Sequence, residues 1–251
     1  MELGLGGRLA VVTGAGSGLG KATAVALAEE GATVVAADLI EEAAVETAHE
    51  IEGKGGSAQG RRIDVTERGQ WSQLMQGLRR LGPVEILCNI AGPAGGNFGQ
   101  LETDDAEWAR QMDGHLKAVF LGCQSILPLM IERRYGKIVN MCSFASHGVL
   151  QTIPAYTAAF GGILAYTKAL SRYAAPYNVN VNCVSPGNIQ TPMTEATWLS
   201  RPGALQELRD RMPIKRVGQP EDIAAWFVFL ASDRARHAVG IEVNVSGGQL
   251  I

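Results

Sequence analysis

The chain has 251 residues, of which 46% are hydrophobic and 19% charged, with a formal net charge of -3 at pH 7. That length admits one large α/β domain or two small ones, and that composition gives a sizeable core. A mildly acidic balance offers nothing to nucleic acid or an anionic membrane, and the arginine pairs Arg61-Arg62, Arg79-Arg80 and Arg133-Arg134 are scattered, as on solvated faces.

In chain order, Leu9-Ala10-Val11-Val12 reads as a strand, followed by a glycine turn and a helix from Lys21 to Glu30 that Gly31 stops. Thr33 to Ala37 is the next strand, and an acidic helix from Glu41 to Glu52 follows, closed by Gly53 to Gly56. Later strands are predicted at Ala58–Ile63, Val84–Asn89, Lys137–Cys142, Val179–Val184 and Glu242–Val245. Most are continuous apolar runs rather than alternating ones, which predicts burial on both faces in a parallel sheet joined by right-handed βαβ crossovers. No repeat, low-complexity segment or charge run marks a linker, so residues 1–251 read as a single doubly wound α/β domain.

Cys88, Cys123, Cys142 and Cys183 stand far apart, with no CxxC pair and no histidine at metal spacing. Three of them fall in strand-like runs and read as buried reduced thiols, so no metal site is expected. The most apolar stretch, Ala224 to Ala231, is too short for a membrane span, and Met1 to Gly7 lacks the regions of a signal peptide. A soluble cytoplasmic protein is the expectation.

Thr13-Gly14-Ala15-Gly16-Ser17-Gly18-Leu19-Gly20 follows the first strand and opens the first helix. Such a turn lets backbone approach a pyrophosphate, whose charge meets the helix N-terminus. Asp38 ends the second strand, 18 residues beyond Gly20. A carboxylate there accepts hydrogen bonds from a ribose 2′-hydroxyl and repels a 2′-phosphate, which favours NAD over NADP. As a helix N-cap, Asp38 would be compatible with that role.

With these residues in view, nearly the whole chain resembles the short-chain dehydrogenase/reductase family. The TGxxxGxG loop, with Gly14, Ser17, Gly18, Leu19 and Gly20, matches the family's cofactor turn. Asp64-Val65 resembles the adenine-contacting pair, and Asn89-Ile90-Ala91-Gly92 the family's NNAG. Pro186-Gly187, Ile189 and Thr191 resemble the segment under the nicotinamide, Gln219 to Asp222 begins the usual late helix, and Ser246-Gly247-Gly248 stands where a DGG tail is common. The resemblance implies a Rossmann-type seven-stranded sheet of order 3-2-1-4-5-6-7, a nicotinamide cofactor and a homotetramer.

It also implies a catalytic pair. Ser143, after the predicted strand and 13 residues before Tyr156, stands at the family's serine, which stabilises negative charge growing on a carbonyl oxygen. Tyr156 stands at its proton-transfer tyrosine, although a lone tyrosine is as readily a core or surface aromatic. Four residues on, where the family carries a lysine that lowers the tyrosine pKa and holds the nicotinamide ribose, this chain has Phe160. Lys168 is no substitute, lying about 18 Å further along the helix and roughly a third of a turn round. An unperturbed phenol is about one part in a thousand ionised at pH 7, so the loss is worth about 4 kcal/mol of barrier.

A second departure is His115, where the family carries an asparagine of the same proton route. Its ordinary pKa, near 6.5, would suit either a replacement cation or an acid/base. Alternatively, His115 satisfies backbone groups in a helix kinked beside Gly114. His147, after Ser143, is a further candidate.

Residues 191–217 correspond to the family's substrate flap. Pro192-Met193, Trp198-Leu199, Leu205, Leu208 and Met212-Pro213 there predict an apolar or ring-bearing substrate, although a packed helix pair would read similarly. The loop Ala91 to Gln100, with four glycines and Phe98, is a second candidate wall. The reading is an NAD-dependent oxidoreductase interconverting an alcohol and a ketone with a non-standard proton relay. The alternatives are a cofactor-binding non-redox enzyme, such as a dehydratase, isomerase or cyclase, and a silent scaffold subunit.

Overall fold

Runs such as Leu9-Ala10-Val11-Val12 present no polar face to water, and the chain buries them between layers of helices. The computed structural model describes residues 2–95, 99–150, 152–197 and 199–250. The first half alternates β1 (Leu9–Thr13), α1 (Gly18–Glu29), β2 (Thr33–Asp38), α2 (Glu41–Gly53), β3 (Ser57–Arg62), α3 (Arg68–Leu78) and β4 (Val84–Asn89). Then come α4 (Asp105–Gln111), a π-helical turn (Met112–Lys117), α5 (Ala118–Arg133), β5 (Gly136–Met141), α6 (Pro154–Ala174) and β6 (Val179–Pro186). Two short helices, α7 (Pro192–Ala196) and α8 (Ala204–Arg211), precede α9 (Pro220–Ala231) and β7 (Glu242–Val245).

The seven strands form one sheet in the order β3-β2-β1-β4-β5-β6-β7, and every pairing is parallel. This is the predicted Rossmann-type order. It reverses between β1 and β4, opening a crevice beyond the carboxyl ends of those strands. Helices cover both faces: α1 packs with α9 and α2, while α3 packs on α5 and α6 covers β6. Central strands β1, β5 and β6 are buried throughout, whereas edge strands β3 and β7 are partly exposed.

Two differences from the sequence reading matter. First, α1 begins at Gly18, so the last three residues of the glycine motif are already helix. Its tight entry demands glycine, since a Cβ on Gly20 would lie 2.0 Å from the Gly14 carbonyl oxygen. Second, the helical run from Asp105 to Arg133 is 29 residues long and reaches a mean hydropathy of 1.3, exceeding Ala224–Ala231 as the longest apolar element. Length and composition alone would let it cross a bilayer, but half of that window is buried and α5 packs on β4 and β5. All four cysteines are free and buried.

Candidate active site

A cavity of about 720 Å3 opens at the β1/β4 crevice and continues past the ends of β5 and β6. The α1 end is built from Gly14, Ser17, Gly18, Leu19 and Gly20. Ser17 caps α1 in an extended conformation but makes no side-chain capping bond, which leaves the first-turn amides facing the cavity. Asp38 closes this end. One carboxylate oxygen accepts from the Gly16 amide at 2.8 Å and the other from the Ile40 amide at 3.0 Å, so both oxygens are fixed in place with lone pairs to spare.

Asp64 and Val65 form the next wall, the Asp64 carboxylate held by Thr66 through its amide (2.9 Å) and hydroxyl (2.7 Å). Asn89, Ala91 and Gly92 line the cavity too, but the Asn89 amide is turned inward, donating to Asn140 Oδ1 at 2.9 Å. Asn140 in turn donates to Thr167 Oγ1, so Asn89 ties β4 to β5 and α6. The buried Thr13 hydroxyl, which sequence reasoning passed over, accepts from the Ile90 and Ala91 amides at 2.9 and 3.1 Å and sets the path of this loop. Pro186, Gly187, Ile189 and Thr191 form the opposite wall, and Thr191 caps α7 through a reciprocal pair with Thr194. Every sequence-predicted cofactor residue therefore borders this one cavity. The described residues include no group of three or more His, Cys, Asp or Glu arranged to hold a metal ion.

Ser143, Tyr156 and His115 meet where the cavity runs past β5. Ser143 caps a 3-10 turn (Phe144–His147), its Oγ accepting from the Ala145 amide at 3.2 Å. Its side chain lies near enough to Tyr156 to act on the phenol. Burial pushes the Tyr156 phenol above its ordinary pKa; the polar Ser143 side chain opposes that rise and nearby Cys142 adds to it. No cation enters this balance. Arg110 is the single Lys or Arg among the described lining residues, and it is already engaged by Glu107 (2.6 Å) and the Ala94 carbonyl (2.9 Å).

Phe160 lies one turn along α6 from Tyr156, buried, with ring centroids 4.5 Å apart. The His115 ring packs 4.6 Å from Phe160 and edge-on to Tyr156 at 5.4 Å, completing an aromatic cluster. The π-helical turn presents His115, and Gly92 admits it: a Cβ there would lie 2.3 Å from Nδ1. The sequence offers His115 as a cation or a group titrating near neutrality, and its surroundings favour the neutral ring. Burial, with the Arg110 charge adding to it, holds the imidazole down to about 3, against a weaker opposing backbone hydrogen bond at Pro93. Its Nε2 is buried without a protein hydrogen-bond partner, while the ring borders the cavity beside Tyr156.

His147 does not line the cavity and instead binds Glu242. Within 191–217, Pro192, Met193, Thr194 and Thr197 reach the cavity, whereas Leu205, Leu208, Met212 and Pro213 do not. Met212 and Pro213 instead pack against Gly247 and Gly248 of the tail. Trp198 and Phe98 lie outside the described residues. The apolar wall missed in the sequence comes from Phe144, Leu150 and Ile153, between Ser143 and Tyr156.

The profile of a family described as enoyl-(acyl carrier protein) reductase matches residues 14–249. A 3-oxoacyl-[acyl-carrier-protein] reductase from Thermotoga maritima is 34% identical over 248 residues, covering 98% of this chain and 99% of that protein. The chain belongs to the short-chain dehydrogenase/reductase family. Another member, an NAD-dependent glycerol dehydrogenase from Listeria innocua, is 36% identical over 245 residues, covering 97% of this chain and 94% of its own. The crystal structure of L-sorbose reductase from Gluconobacter frateurii, complexed with NADPH and L-sorbose, superposes with a TM-score of 0.94 at 31% identity, covering 100% of this chain and 99% of that one. The chain is accordingly an oxidoreductase of a family that uses nicotinamide cofactors and small-molecule substrates.

Proposed function

We infer that this enzyme is an NAD-dependent oxidoreductase interconverting an alcohol and a ketone, using Ser143 and Tyr156 without a lysine partner. The observation that carries the reading is that Ser143 and Tyr156 stand together on the wall of the same cavity that Asp38 and the α1 turn close. Bound nicotinamide supplies the hydride acceptor or donor. Ser143 orients and polarises the substrate oxygen, and Tyr156 holds or gives its proton. Phe160 and His115, at the places of the family's lysine and asparagine, fix the Tyr156 ring by packing rather than by charge.

NAD is favoured over NADP because Asp38 is held at the β2 end beside Leu39, which is exposed, with no Lys or Arg among the described lining residues of that end. The apolar wall of Phe144, Leu150, Ile153 and Met193 fits an apolar or ring-bearing substrate, with 191–217 acting as a flap. Trp226 and Phe229 remain exposed on α9, which supports assembly as a homotetramer. Light scattering after gel filtration tests that assembly.

The test of function is profiling against secondary alcohols and ketones while following both nicotinamide absorbance and product mass. One NADH formed per alcohol oxidised supports the reading. Product without cofactor turnover transfers the site to non-redox chemistry.

A further inference from the structure

The aim of Ser143 depends on the 3-10 turn that it caps. One lone pair of its Oγ is committed to the Ala145 amide, which ties the hydroxyl to the turn on the cavity wall it shares with Tyr156. Any rotation of the turn rotates that hydroxyl. Beyond the turn, Gly148 and Val149 are exposed, and the chain returns to the cavity at Leu150 and Ile153. The turn packs on α6, and its far end is held from another direction by one polar contact.

That contact is His147. Its Nε2 lies 2.9 and 3.1 Å from the two carboxylate oxygens of Glu242, 95 residues away at the start of β7. Glu242 also accepts a hydrogen bond from the fully buried Ser185 of β6. The Glu242 side chain is only 12% exposed and that of His147 36%. A largely desolvated carboxylate holds its partners strongly, because leaving it unpaired costs several kcal/mol. Among the described residues, His147 is the one basic side chain within 4.0 Å of it. The bridge therefore links β6, β7 and the serine turn.

We propose that His147, through Glu242 and Ser185, is a positioning residue that aims Ser143 and sets the Leu150–Ile153 substrate wall. This rests on the reading of Ser143 and Tyr156 as the working pair. His147 touches neither the cavity nor the reacting atoms, so its effect falls on geometry. A misplacement of about 1 Å at a reacting group can cost about a hundredfold in rate, and a loosened turn samples the correct pose for part of the time.

The experiment uses the full-length enzyme with His147→Ala, His147→Gln and Glu242→Gln. It measures kcat and KM with the substrate found by profiling, NADH binding by fluorescence, and hydrogen–deuterium exchange over 143–150. His147→Ala and Glu242→Gln should each lower kcat/KM about tenfold, with NADH affinity unchanged and faster exchange in that segment. The double variant His147→Ala/Glu242→Gln should be no worse than either single one. His147→Gln, which keeps a donor to Glu242, should restore most of the loss. Unchanged exchange over 143–150 in His147→Ala, or unchanged kcat and KM, overturns the proposal. If the wild-type enzyme turns over no alcohol or ketone, the functional reading fails instead, and the exchange measurement still decides the bridge.

Discussion

Replacing Phe160 by lysine separates a site that merely lacks a cation from one repacked to work without it. If the site were only disabled, Phe160→Lys would recover up to about a thousandfold in rate, the factor that an unassisted phenol forfeits near pH 7. The structure predicts otherwise. Phe160 is 3% exposed and packed at 4.5 and 4.6 Å against the Tyr156 and His115 rings. Its neighbours include the Tyr156 ring, the His115 imidazole and the Cys142 thiol, which donates to its backbone carbonyl at 3.5 Å. Losing the aromatic packing costs about 3 kcal/mol, and an ammonium with no carboxylate partner adds to that or gives up its proton. A loss of 3–4 kcal/mol lowers the melting temperature by roughly 10 °C in a domain of this size. Phe160→Lys alone should therefore melt about 10 °C lower with no gain in kcat, while Phe160→Lys/His115→Asn, which clears the facing ring, should recover both in part. Thermal melts and initial rates on the same samples decide it. A single Phe160→Lys variant with wild-type melting temperature and a hundredfold higher kcat would refute the repacked site.

The raised Tyr156 pKa gives a pH signature: alcohol oxidation, which needs the phenolate, should climb continuously to pH 10, whereas ketone reduction, which needs the phenol, should stay flat from pH 6 to 9. A plateau in oxidation near pH 8 would contradict this. The buried His115 makes the fold acid-labile: its folded pKa of about 3 lies below the unfolded value near 6.5, so the unfolded state binds the extra proton between them. Stability should fall as pH drops through that window, by as much as about 5 kcal/mol, and denaturant melts of His115→Asn should show most of that slope removed. Asp38→Asn should raise the affinity for NADPH relative to NADH at least tenfold, read by fluorescence titration, because a repelling charge leaves the 2′ position. Ser143→Ala should lower kcat by roughly a hundredfold or more with NADH binding intact, since a donor to the developing oxyanion is lost.

The sheet was legible because strands such as β1 and β2 are apolar without alternation and its turns carry glycine where the backbone must approach closely, as at Gly14 and Gly20. Asp38, Ser143 and Tyr156 were legible because each sits at the end of an element whose boundary the sequence marks. His115 was not. Its identity was visible, but its environment depends on a π-helical turn that a 3.6-residue pattern does not reveal and on Gly92 yielding room from another loop. An exposed and a buried histidine look alike in sequence, and burial alone moves this one out of the neutral range. The substrate wall was misjudged for a related reason. Met212 and Pro213 are apolar because they pack on the tail glycines, whereas Leu150 and Ile153 reach the cavity from a stretch with no periodic pattern.

The central claim is that Tyr156, without a cationic partner, moves a proton in step with hydride transfer to or from NAD. It is tested most directly by single-turnover mixing of the enzyme with NAD and its alcohol substrate, following absorbance at 340 nm and product mass together, for wild type and Tyr156→Phe. One NADH per ketone in the wild type and neither product in Tyr156→Phe is the predicted result. Product formed with no NADH, or Tyr156→Phe turning over at the wild-type rate, would contradict it.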